Sequence, residues 1–83
     1  MYKIRLHDGT EFQARFCSAR GGILTAGITT DASFLTVATY FCEHAQSITF
    51  SYDGEEERFT GYTRVLTING VTAGEYQIML AKE

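Results

Sequence analysis

The sequence predicts an α+β fold of order β-β-β-α-β-β-β, one helix packed on a mainly antiparallel sheet. Three observations predict it. Short runs alternate apolar and polar residues with a period of two. Glycine-containing turn pairs separate those runs at short intervals. One central stretch, Thr29 to Gln46, holds no glycine and is long enough for a helix. The 83 residues allow one domain, 1–83, with no linker, repeat or low-complexity stretch.

The first strand is read from Tyr2, Ile4 and Leu6 alternating with Lys3, Arg5 and His7. Asp8-Gly9 follows, a dipeptide suited to a tight two-residue hairpin because glycine accepts positive φ. Phe12, Ala14 and Phe16 then form the apolar face of the return strand. Arg20-Gly21-Gly22 breaks it, and Ile23 to Ile28 reads as a third strand.

Thr30 or Asp31 is the expected helix cap, its side chain accepting from backbone N–H groups in the first turn. Phe34, Ala38, Phe41 and Ala45 then share a face, flanked by Leu35 and Cys42. Thr36, Val37, Thr39 and Tyr40 favour strands instead, and the length of the run decides for a helix. After it come Ser47 to Tyr52, the turn pair Asp53-Gly54, and a polar edge strand, Glu55 to Thr60. Tyr62 to Ile68 puts Tyr62, Leu66 and Ile68 on one face. Asn69-Gly70 is the next hairpin signal, and Glu75 to Leu80 closes the sheet with Tyr76, Ile78 and Leu80.

The helix carries more apolar residues than one face can hold. A helix apolar all round is normally buried, and a chain this short has little with which to cover both sides. The outer face, Val37 and Tyr40 with Phe41 beside them, is therefore the expected interface of a homo-oligomer.

Composition excludes several function classes. Ten Asp+Glu stand against seven Lys+Arg, for a net charge of −3, with no basic cluster. That argues against a DNA- or RNA-binding module. With 45% hydrophobic residues the chain is too apolar for disorder. No apolar run approaches the length of about 20 residues that spans a bilayer, and no secretory leader is expected. Cys17 and Cys42 are accordingly read as reduced thiols.

Catalytic chemistry finds no motif. His7 falls on the polar face of the first strand, and His44 lies near the helix C-terminus, where the dipole favours a cation. Cys42-x-His44 with Cys17 lacks the two close ligand pairs of a zinc site, so no metal or cofactor is expected. Cys42 reads as a small core hydrophobe. The Glu55-Glu56-Glu57 run lacks the spacing of a calcium loop. Candidate ligand-binding residues are Arg20, beside backbone amides that can hold an anion, and Arg58 with Tyr62, as a cation and a stacking face for a small nucleotide.

Five segments carry a resemblance to a known group. They are Tyr2 to Thr10, Gly22-Ile23-Leu24, Thr30-Asp31-Ala32, Phe59 to Thr63 and Tyr76 to Lys82. In these the chain is similar to small proteins encoded in tailed-phage and prophage gene clusters of Gram-positive bacteria. The resemblance implies a non-enzymatic role in the bacterial host cytoplasm or the virion, and it identifies no functional residue. Two functions follow as expectations. One is a small virion or accessory component acting through self-association and protein contacts. The other is an anti-defence protein that blocks a host immune factor or sequesters a signalling nucleotide.

Overall fold

The structure is a computed structural model describing residues 2–82. One helix and one seven-stranded antiparallel sheet make up the fold. Three strands precede the helix: β1 (Tyr2–Leu6), β2 (Glu11–Arg20) and β3 (Ile23–Thr29). The helix, α1, is Phe34–His44. Four strands follow: β4 (Ser47–Tyr52), β5 (Glu55–Thr60), β6 (Arg64–Thr72) and β7 (Glu75–Ala81). The four segments read after the helix each form a strand, so the expected order β-β-β-α-β-β-β counts one strand too few after the helix.

The strand order is β5-β4-β1-β2-β3-β7-β6. Laid flat, seven strands would put β5 and β6 about 29 Å apart, at ~4.8 Å per interval. Yet only Gly61, Tyr62 and Thr63 join Thr60 to Arg64. Four Cα steps reach at most about 14 Å. The sheet must therefore curl into an open barrel, in keeping with overall extents of 29 × 27 × 23 Å. A bond from the Gly61 N–H to the Gln46 carbonyl (3.2 Å) pins the link to the end of the helix.

The barrel encloses one core, with Ile4, Leu24, Ile28, Ile48, Ile78 and Leu80 fully buried. Helix α1 runs beside β6, and Val37, Phe41 and the C-cap residue Ala45 join that core. These lie four residues apart, one stripe of the helix. The Phe41 ring stacks on Phe12 at 5.6 Å, and Tyr40 meets Phe12 edge-on at 5.9 Å.

Several local expectations are corrected. Ser33 caps the helix: its Oγ accepts from the Thr36 N–H at 3.2 Å. Thr30 instead closes a small turn by accepting from the Ala32 N–H. The cap is a third position three residues before a free amide, which is the geometry an N-cap needs. Ser33→Ala is expected to lower stability by about 1 kcal/mol, measured by urea unfolding.

The Asp8-Gly9 connection is longer than two residues. Gly9 N–H bonds to the Leu6 carbonyl and Leu6 N–H to the Thr10 carbonyl. Gly9, at φ +95°, turns the chain back into β2. Asp8 accepts from the Thr10 N–H and hydroxyl, and the amide bond above all holds its carboxyl below the usual carboxylate range. Asp53-Gly54 and Gly21-Gly22 do form two-residue turns, with φ positive at both positions of each pair.

Asn69-Gly70 is not a turn. Both residues lie inside β6, and the chain reverses at Ala73-Gly74, with Gly74 at φ +79°. The true turn is anchored from outside the hairpin: the Thr30 N–H donates to the Gly74 carbonyl at 2.9 Å.

Two bulges overturn the expected faces. Between Ala14 and Phe16 the register with β3 shifts, leaving Arg15 unpaired. One extra residue sends the next side chain to the other face. Phe16 is therefore on the outer surface, 43% exposed, and Cys17 takes the inward place. The Phe16 ring lies against Gly27 so closely that a Cβ there would meet it at 2.7 Å. In β6 a second shift skips Leu66, so Val65 and Ile68 face the core and Leu66 faces out.

Candidate functional site

The helix supplies the first candidate. Val37 and Phe41 are fully buried in the chain's own core, so neither is available to a partner. The expected interface is corrected at both positions. The apolar excess is absorbed because the helix axis presents the Val37–Phe41–Ala45 stripe inward, with Thr36, Thr39, Cys42 and Glu43 outward. Tyr40 stays half-buried at the rim.

What remains outside is a different patch. Leu35 is 74% exposed and Phe34, beside it in the chain, 50% exposed. Next to Leu35 lies a shallow concavity of about 380 Å³ lined by Leu35, Thr36, Thr39, Tyr40 and Glu43. Leu35 thus projects at the edge of a shallow, open hollow that it forms with Thr36, Thr39, Tyr40 and Glu43 on one short helix. The sequence pattern reads Leu35 as a flank of the buried face, whereas the structure leaves it exposed.

The candidate ligand-binding residues do not meet at one point. Arg20 closes β2 at the Gly21-Gly22 turn. Tyr62 sits in the β5–β6 link, half-buried, with Phe59 edge-on at 6.1 Å. Lys82 connects the two neighbourhoods: its N–H donates to the Gly22 carbonyl at 2.8 Å, and its Nζ lies 5.7 Å from the Tyr62 ring centre. The Tyr62 face therefore already carries a cation. Arg58 points to the outer face of β5, where its Nε donates to Ser47 Oγ at 2.9 Å. It lines a polar groove that includes neither Arg20 nor Tyr62.

The barrel end farther along β1 and β4 carries a row of aromatics. Tyr2 stacks on Tyr52 at 4.3 Å and on Phe50 at 5.5 Å. Glu55 and Glu57 stand in register beside Tyr52 and Phe50 on edge strand β5.

The cysteines are unpaired and unlike each other. Cys42 is exposed on the helix, not in the core as its apolar neighbours suggested. Cys17 packs against the core, where burial first and the Glu57 charge second push its thiol from 9.0 up to about 12. A thiol held neutral is a poor nucleophile. Iodoacetamide is therefore expected to modify Cys42 quickly and Cys17 only on unfolding, as read by mass spectrometry. A raised folded value also has a stability consequence. Below pH 9.0 the contribution is whole, and it is lost as pH rises towards about 12. Cys17→Ala should flatten that alkaline decline.

His44 occupies the last helical turn, its Nε2 3.6 Å from Asp8 Oδ2. His7, expected on the first strand, is exposed in the turn that follows β1. Among the described residues no group of three or more His, Cys, Asp or Glu is placed to hold a metal ion. Nor, among them, is any helix long and apolar enough to cross a membrane. Comparison of the chain with protein-family models, with curated proteins and with solved structures gave no match.

Proposed function

We propose that the protein is a non-enzymatic binding and assembly component that pairs with a second copy of itself through the outer face of α1. One observation carries the reading: an exposed Leu35 knob adjoins a concavity on the same helix surface. A patch holding both knob and hole is self-complementary. Two copies related by a two-fold axis can each seat Leu35 in the other's Thr36–Thr39–Tyr40 hollow. The burial of an exposed leucine on each side then drives association.

The setting belongs to the same proposal: a small virion or accessory component, as the resemblance to phage-encoded proteins implies. A small building block needs a self-complementary surface and no reaction centre. The anti-defence alternative, which sequesters a nucleotide through Arg20, Arg58 and Tyr62, has less to draw on. Arg58 lies in a separate groove, and Lys82 already covers the Tyr62 face.

Light scattering of the purified chain over a concentration range tests the reading. The mass is expected to rise from monomer towards dimer. A mass that stays monomeric at the highest concentration overturns it.

A further inference from the structure

We infer that the outer groove around Arg58 is a binding site for a small phosphomonoester. This is independent of the helix surface and stands or falls separately from it.

The register of three strands builds the site. Arg5 on β1 pairs with Thr49 on β4, and Thr49 pairs with Arg58 on β5. All three side chains point to the same face, because residues opposed across adjacent strands share a face. Two guanidinium groups therefore flank one hydroxyl, roughly 10 Å apart at their backbones. His7 and Ser47 complete one end of the groove, whose volume is about 330 Å³. That is the lower end of the range for small-molecule sites.

Arg58 is the anchor. Its Nε donates to Ser47 Oγ, which fixes the plane of the guanidinium and leaves both Nη groups without a partner among the described residues. No carboxylate lies within salt-bridge distance of it among those residues, whereas Glu56 Oε1 is 3.8 Å from Arg5 Nη2. Glu11 also stands opposite Arg5 on β2. A guanidinium with a free fork recognises a phosphate oxygen pair, and Arg5 and the Thr49 hydroxyl supply further donors. A dianion suits this set better than a carboxylate because it engages both arginines at once. Among the described residues no Phe, Tyr or Trp lines the groove, so apart from the His7 imidazole at one end it offers a base no stacking face, and recognition rests on the phosphate.

The groove also holds its own competitor. Glu56 lines it and occupies Arg5. Anion binding must draw Arg5 away from Glu56, which gives the proposal a signed test. Titration of the protein with inorganic phosphate and with phosphorylethanolamine at constant ionic strength is followed by NMR. Saturable shifts are expected at the amides of His7, Thr49 and Arg58 for both probes. Arg58→Gln should weaken binding about tenfold. Glu56→Gln should tighten it several-fold, and Arg64→Gln, outside the groove, should leave it unchanged. Shifts that do not saturate, a Glu56→Gln variant that binds no better, or equal loss in Arg64→Gln would each overturn the assignment. So would an oligonucleotide that binds more tightly than either probe at equal phosphate concentration, since that marks a backbone-tracking surface.

Discussion

Phe41→Ala is expected to destabilise the chain by about 3–5 kcal/mol, the range for removing a buried aromatic ring. Phe41 is fully buried, and its ring stacks on Phe12. It also joins the helix to strands on both sides of the curled sheet, since the core it enters includes Ile4 and Leu6 of β1 and Ile78 and Leu80 of β7. The surroundings cannot collapse onto the gap, because the helix is held at its C-terminal end by the Gly61–Gln46 bond and at its start by the Tyr76 hydroxyl, which donates to the Ala32 carbonyl at 3.1 Å. A small domain has about 5–15 kcal/mol of stability in all. The variant should therefore unfold at a much lower urea concentration, and a midpoint within error of wild type would show that the ring is not part of the core.

Leu35→Asp should do the opposite. Leu35 is 74% exposed, so its removal from the monomer changes little core packing. It also lies in the first helical turn, which holds no acidic residue. A carboxylate there interacts favourably with the helix dipole. The monomer is therefore expected to be as stable as wild type or slightly more so. Self-association should weaken by roughly thirtyfold or more, because an unpaired charge would have to be buried where a leucine had been. Phe41 and Leu35 thus separate two expected roles on one helix: the first variant loses stability, the second only the proposed contact.

Much of this architecture is legible in the sequence. Tyr2-Lys3-Ile4-Arg5-Leu6 alternates and forms a half-buried strand, and Asp53-Gly54 turns as its chemistry requires. The acidic run Glu55–Glu57 falls on an edge strand, where charge opposes pairing with another sheet. Other features depend on long-range geometry. The extra residue Arg15 is indistinguishable from its neighbours in a period-two pattern, yet it turns Phe16 outward and Cys17 inward. Asn69-Gly70 has good turn chemistry, but the hairpin it would make lacks the Thr30–Gly74 bond that anchors the observed turn. Curling of the sheet follows from a three-residue link between two edges, and the edges are known only once the strand order is known.

The candidate surfaces divide in the same way. A helix with surplus apolar residues is visible in the sequence, but which stripe faces inward is a matter of one register step. The Val37–Phe41–Ala45 stripe wins over Phe34–Ala38–Phe41–Ala45 because the helix starts after Ser33 and presents Phe34 to the Tyr76 ring, 6.2 Å away, at the margin of the core. That step moves the exposed apolar surface from Val37 to Leu35. Arg58 could be picked out as a cation, but its partnership with Arg5 and Thr49 needs the β1–β4–β5 register.

Sedimentation velocity on wild type and Leu35→Asp, over a concentration series, tests the self-association through α1 most directly. Wild type is expected to shift from monomer to dimer as concentration rises, while Leu35→Asp, with an unchanged melting temperature, stays monomeric. A wild type that remains monomeric throughout, or a Leu35→Asp variant that dimerises equally well, would contradict it.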